Sequence, residues 1–482
     1  ESTVMSMEET APEPELECTL PIHDDSISIS YWISWNPDLS AVCAPGDASV
    51  YKALEERTGI HVDYRESSPF NQGQDFDLMI ASGDYVDIFP ASSNLSPDQA
   101  FEQDICIDLT GYMDTYLRNY HAILKSNDEY MHTAVNDEGQ ILSVNSMYDE
   151  NIAVNFGLVI RKDWLDQLGL DMPETYDDYH KVLTTFKNQL GANAAMHMGS
   201  SGVLTGNYFC SGFGINGYVS MMDAPFYQVD GEVKFGPIQP EFKDYLTMMN
   251  QWYNEGLLSD SFLTSQAEVL MDFSTILSGD TGVWCGSGTQ SITQLLSMAA
   301  ESQPDMRITG MTNVTKDGDT AHVGTESQIL DSIMWSITTE CSDPAAIARY
   351  VDYLYSDAGI LLANYGVEGE TFHYVDGKPV LTELVTNNPD YSYNLALNIF
   401  TCDRQTPVPF IIDEQKARND YSEDQSNAVA VWNEATDGLY NIPRQGVNMT
   451  TKEQEEYNSI YSDIDTLRSL GYDIQLQRGR GG

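Results

Sequence analysis

Tyr353-Leu-Tyr-Ser-Asp-Ala-Gly-Ile-Leu-Leu-Ala-Asn-Tyr-Gly-Val-Glu-Gly-Glu-Thr-Phe372 reads as a helix that runs into a glycine-rich loop carrying an acid and an aromatic ring. Gly366 suits the residue just past a helix end, where glycine turns left-handed without steric cost. Glu368 follows in the loop and reads equally as a solvated acid or as a group facing a ligand. Upstream, Asp343-Pro344 is an N-cap followed by proline at the first helical position, which starts the helix leading into this stretch. The apolar run from Ile333 to Thr338 before it is a strand, with Trp335 inside.

The amino-terminal part alternates between periods of two and of 3.6 residues. Ile27, Ile29, Tyr31 and Ile33 share one face of a half-buried strand that Pro37 stops. Val50, Ala53, Leu54 and Arg57 follow at helical spacing and Gly59 ends that helix. A strand over 60–64 comes next, then 81–89 gives a turn and a third, buried strand, and this β-helix-β-β order with short connections indicates an α/β unit with a largely parallel sheet. After Asn155, Phe156–Arg161 is a continuous apolar strand of the kind covered on both faces. Asp163 and Thr175 cap the next two helices, and Glu241–Leu258 is amphipathic. Further strands are expected over 281–285 and 306–311, with a helix over 291–300 between them.

At 482 residues the chain exceeds one ordinary core, and 41% hydrophobic residues suffice to pack two. No run of about 18 apolar residues is present, so no helical membrane span is expected. Twenty-three Lys and Arg stand against 74 Asp and Glu, a formal charge of −51 that repels nucleic acid and anionic lipid. The seven cysteines at 18, 43, 106, 210, 285, 341 and 402 are scattered, without the spacing of a zinc site. Residues 1–17, rich in Pro, Glu and Ser, read as a solvated tether. The chain begins with Glu1 rather than Met, so removal of an upstream segment is expected. The signatures G-x-S-x-G, H-E-x-x-H, G-x-x-x-x-G-K-[ST] and the full calcium loop are absent. No catalytic residue, cofactor or metal is therefore assigned.

The segment 353–372 closely resembles the "YLYSxEGxxLxNYGxEGxxY" signature of bacterial extracellular solute-binding proteins, the lipoprotein type that serves carbohydrate ABC importers. Trp164–Asp178 is similar to that family's "WLDxLGLxxPxTxDE" block, and Trp252-Tyr-Asn-Glu-Gly-Leu-Leu258 to its "WYxEGLI". The resemblance spans roughly residues 26–475. It implies a two-lobed α/β fold of the periplasmic-binding-protein type, with an inter-lobe ligand cleft and hinge crossings. On that basis 1–23 is a tether, 24–150 plus 275–328 form lobe one, and 151–274 plus 329–410 form lobe two. Residues 411–482 form a helical segment packing on the lobes. The family also implies an oligosaccharide ligand, a membrane permease as partner, a monomer, and a lipid anchor upstream that holds the protein at the outer face of the membrane.

Sugar recognition needs flat apolar faces for the C–H side of a pyranose and planar polar groups for its hydroxyls. One stacked ring hiding ~100 Å² of apolar surface contributes ~2.5 kcal/mol before entropy losses. Open α/β sheets place ligands at strand ends, which singles out Trp35 and Asn36 after the first strand and Asn94 after the third. Tyr148 lies at the first crossing and Glu326 at the return. Trp284 precedes a Gly-Ser-Gly loop, and Tyr208 sits in a loop rich in Gly, Asn and aromatics. Trp335 and Glu368 complete the candidates. Trp35 and Trp284 are expected as stacking platforms, and Asn94, Tyr148 and Glu326 as hydroxyl partners. The alternatives are the same fold with a peptide or other small nutrient as solute, and a secreted glycoside hydrolase.

Overall fold

The computed structural model describes residues 27–34, 42–67, 71–90, 95–148, 156–197, 207–216, 226–260, 273–287, 291–300, 302–324, 330–402, 408–413 and 421–442, with isolated positions elsewhere. The strands of its two main sheets begin with β1 (Ile27–Ser34), β2 (Ile60–Ser67), β3 (Ile88–Pro90), β4 (Val144–Tyr148), β5 (Phe156–Arg161) and β6 (Met196–His197). After a hairpin of β7 (Phe226–Val229) and β8 (Glu232–Phe235) come β9 (Val283–Ser287), β10 (Ile308–Met311) and β11 (Leu330–Ile337). A second hairpin, β12 (Phe372–Val375) with β13 (Lys378–Leu381), precedes β14 (Ile411–Ile412).

These elements sort into two compact units. The first takes Glu1–Asp149, Leu330–Ile412 and Gln445–Glu456, and the second takes Glu150–Ile329, Asp413–Arg444 and Tyr457–Gly482. The first unit's sheet has the order β14-β4-β11-β3-β1-β2. β1 pairs in parallel with β2 from Ile27↔Ile60 to Ser34↔Ser67, and with β3 at Tyr31↔Ile88. β11 runs antiparallel to both β3 and β4, and β14 runs parallel to β4. Ile29, Tyr31 and Ile33 are buried on one face of β1, as alternation requires. Trp32 faces the other way and packs with Phe76, Met79, Phe89 and Ile105.

The second unit's sheet has the order β10-β5-β9-β6. β5 lies between two antiparallel neighbours, and only β6 pairs in parallel, with β9. The continuous apolar run of β5 reflects two covered faces, not a parallel environment. Leu158 and Ile160 face one core, with Trp164, Phe186 and Trp252, while Val159 faces another with Trp284 and Trp432.

This pairing corrects the assignment of segments drawn from the sequence. Residues 275–328 belong with the second unit, because β9 and β10 flank β5 there. Residues 329–410 belong with the first, because β11 fills the place between β3 and β4. Strand periodicity shows that a segment is a strand and which face is buried, but it carries no signal of the strand's partner. The carboxyl-terminal segment contributes to a core. Its helix Glu423–Asn433 puts Ala428, Val429 and Trp432 into the second unit's core, and Trp432 Nε1 donates to Leu158 O at 2.9 Å. Most of the expected tether and of residues 443–482 lies outside the described residues.

The segment read first in the sequence forms helix Asp357–Tyr365, capped by Ser356, whose hydroxyl accepts from Gly359 N. Gly366 ends it at φ +81°, and a Cβ there would stand 2.4 Å from Thr371 Oγ1 and 2.5 Å from Phe400 O. Thr371 Oγ1 donates to Tyr365 O and accepts from Val367 N, which ties the loop back on the helix. Tyr365 and Phe372 then pack with Leu381, Val385 and Leu397.

Candidate functional site

Strand direction in the first unit defines one edge at which most of its strands end. β11 is antiparallel to β3 and β4, so β4 runs with β1, β2 and β3, and β14 runs with β4. Five strands therefore end on the same edge, and β11 begins there. In chain order Trp35 and Asn36 follow β1, Asn94 follows β3, Tyr148 closes β4, and Glu326 precedes β11. Trp35, Asn36, Asn94 and Glu326 themselves lie outside the described residues. The carboxyl edge of a parallel sheet is where open α/β folds bind ligands, because the strand-end loops there vary freely above a rigid frame.

Tyr148 and Trp335 are part of that frame. Tyr148 is 3% exposed, and its carbonyl accepts from the Tyr130 hydroxyl at 2.5 Å. Trp335 is 2% exposed and donates from Nε1 to the Tyr31 hydroxyl at 3.1 Å. Its ring stacks over Tyr350 with centroids 6.4 Å apart and an 11° interplanar angle. Burial holds the Tyr31 and Tyr350 phenols well above their ordinary pKa, so both stay neutral. Glu368 is exposed on the turn after Gly366, bridged through its backbone to Phe372.

In the second unit, β6, β9 and β10 end on the edge where β5 begins. Trp284 lies within β9 and is 1% exposed, enclosed with Phe273, Ile276, Ile292, Leu295 and Trp432. A ring enclosed in this way offers no open face to a sugar in the conformation described. Tyr208 belongs to helix Asn207–Cys210, and its side chain lies outside the described residues.

A hollow of about 350 Å³ on the second unit lies among Leu296, Ala299, Gln303, Arg307, Ser422 and Asp424. Its polar groups are engaged in internal bonds. Arg307 makes a forked pair with Asp424, with Nη2 to Oδ1 at 2.8 Å, and Gln303 joins Arg161 to Leu277 O. Ser422 caps the helix through Gln425 N. None of the sequence candidates lines this hollow.

Sequence reasoning passed over a set of buried polar groups in the first unit. Asn364 is 1% exposed and donates to Ile411 O at 2.8 Å and Ile360 O at 2.9 Å. Asp352 accepts from Tyr120 N at 3.0 Å and from Asn119 Nδ2 at 2.9 Å. Burial raises its pKa to about 6 against the pull of those hydrogen bonds. The Tyr120 and Tyr355 hydroxyls hold the amide and carbonyl of Asn145 at 3.2 and 2.6 Å. The available signal was Asn364 inside an apolar helix, where an amide is disfavoured unless its hydrogen bonds are met.

Among the described residues no group of three His, Cys, Asp or Glu side chains is placed to hold a metal ion, and no helix is long and apolar enough to cross a membrane. The family described as "Bacterial extracellular solute-binding protein" matches residues 44–360. Lipoprotein LipO of Bacillus subtilis is 26% identical over 362 residues, 73% of this chain and 69% of that protein. The fructooligosaccharide ABC transporter substrate-binding protein FusA of Streptococcus pneumoniae is 29% identical over 230 residues, 44% of this chain and 42% of FusA. Among solved structures, the alginate-binding protein AlgQ2 without calcium ion superposes with a TM-score of 0.73 at 21% identity, over 94% of this chain and 91% of AlgQ2.

Proposed function

Because this chain belongs to the bacterial extracellular solute-binding protein family, we propose that it captures an oligosaccharide outside the cell and passes it to the permease of an ABC importer. The observation that supports this reading is strand direction in the first unit, where β1 and β3 end on one edge and β11 begins there. An aromatic plane beside amide and carboxylate groups matches a sugar, with its apolar C–H face and its ring of hydroxyls. Trp35 is the stacking platform in this reading, and Asn36, Asn94 and Glu326 are the hydroxyl partners. Tyr208 is a further contributor.

The likeness to FusA, a fructooligosaccharide transporter's substrate-binding protein, and to AlgQ2, an alginate-binding protein, supports an oligosaccharide over a smaller solute. The charge of −51 favours a neutral glycan over a polyanionic one. A lipid anchor upstream of the chain is proposed from the likeness to Lipoprotein LipO. The chain acts as a monomer and carries out no reaction on its solute.

Thermal melting against fructooligosaccharides, alginate oligosaccharides, monosaccharides and short peptides tests the proposal. A solute at 100 times its Kd adds about 2.7 kcal/mol, which gives a rise in Tm of several degrees. A rise with one glycan class and no glycan cleaved is expected. A rise with peptides alone, or release of sugar fragments, overturns the oligosaccharide reading.

A further inference from the structure

The chain passes between its two units at five places, three of which lie beside described strands, after Asp149, before Leu330 and after Ile412. The strands adjoining these places are β4, β11 and β14, which are neighbours in one sheet. Their registers meet at one residue, because Met147 is level with Leu330 on one side and with Ile411 on the other. All three passages thus start from a single row of the first unit's sheet.

β14 is the weak member of that row. It has two residues, Ile411 and Ile412, and lies at the sheet's edge. Two ladder positions hold a strand poorly. The compensation comes from side chains. Ser146 Oγ accepts from Phe410 N at 3.2 Å, just before Met147 N donates to Phe410 O at 3.1 Å. On the other flank Asn364 Nδ2 donates to Ile411 O at 2.8 Å from within helix Asp357–Tyr365. β4 is pinned in the same way, by the Tyr355 hydroxyl on Asn145 O and the Tyr130 hydroxyl on Tyr148 O. Asn364, Ser146 and Tyr355 are all at most 3% exposed, so water does not compete for these bonds.

We propose that Asn364 is a positioning residue for the movement between the two units that accompanies solute capture. It holds β14 in register with β4 and β11, so the three passages share one rigid mount in the first unit. The movement itself rests on the solute-binding reading given above. The mount is a property of the solute-free chain, and both measurements below are made without solute. A failure of the oligosaccharide reading therefore leaves them interpretable.

Asn364→Leu keeps the side chain's volume and removes its donors. Hydrogen exchange on the full chain is expected to speed up about tenfold at residues 145–148 and 410–412, while β1 and β2 keep their wild-type rates. Small-angle scattering of the same solute-free variant, which reports the arrangement of the two units, is expected to differ from wild type. Uniform acceleration across the first unit overturns the proposal, because it reports general destabilisation. Local loosening with an unchanged scattering curve also overturns it, because the residue then has a structural role alone. If Asn364→Leu does not fold, Ser146→Ala removes the neighbouring acceptor and is read by the same two criteria.

Discussion

Trp284 shows how a single residue divides between site and core. Its place before a glycine-bearing strand end suits a platform, and its ring is packed among Phe273, Ile276, Leu295 and Trp432. Trp284→Ala should cost about 3–5 kcal/mol of stability, the usual price of an emptied aromatic core position. A urea titration reads this directly, and a cost below about 1 kcal/mol would show the ring to be dispensable to the core. Asp352 gives a second test at this scale. Its folded pKa of about 6 lies above the ordinary 3.8, so the folded state holds the proton more tightly. Its contribution is fully present below about pH 4 and is lost as pH rises through about 6. Relative to Asp352→Asn, wild-type stability should fall by on the order of 3 kcal/mol between pH 4 and 7. A flat difference across that window would show that burial does not raise this carboxyl. Neither feature was legible beforehand, since a lone Trp or Asp in sequence carries no record of what encloses it.

At the scale of elements, caps and glycines were the readable part. Gly59 ends its helix at φ +70°, and Thr175 and Asp343 cap theirs, where the sequence indicated; Asp163 does not cap, because its helix starts at Lys162 and its carboxylate pairs with Arg161. Close approach was not readable. A Cβ on Gly157 would come within 2.3 Å of the Trp432 ring, which sits over β5 while its indole N–H reaches Leu158 O. A Cβ on Gly310 of β10 would likewise stand 2.7 Å from the backbone of Ala428 in the same helix. Gly157→Ala should therefore push helix Glu423–Asn433 off the sheet and destabilise the second unit by about 1–3 kcal/mol. Calorimetry of the variant checks this, and an unchanged melting profile would mean that the helix adjusts without cost. The two residues that touch are more than 270 positions apart in sequence, beyond any local pattern.

Across the whole molecule, the α/β class and the two-unit count follow from length and from the alternation of strand and helix patterns. The allocation of segments to units does not, because β9 and β11 differ in partner and not in character. The candidate site was legible only as chain positions at strand ends. Strand-end residues of the first unit fall on one edge once direction is known, but direction had to come from the pairing. Trp432 and Ala428 complete the second unit's core from the far end of the chain. A chain truncated after Ile412 should accordingly keep a cooperative melting transition for the first unit and lose that of the second. Two intact transitions would show the carboxyl-terminal helix to be accessory.

The interleaving of the two units also sets an order of assembly during synthesis. The first sheet lacks a central strand until Leu330–Ile337 has been made, and by then the greater part of the second unit has already emerged. That second unit must still wait for Trp432, close to the end of the chain, to fill its core. Neither half can be finished early and stored. A growing chain thus carries exposed strand edges and an unfilled core until Trp432 has been made.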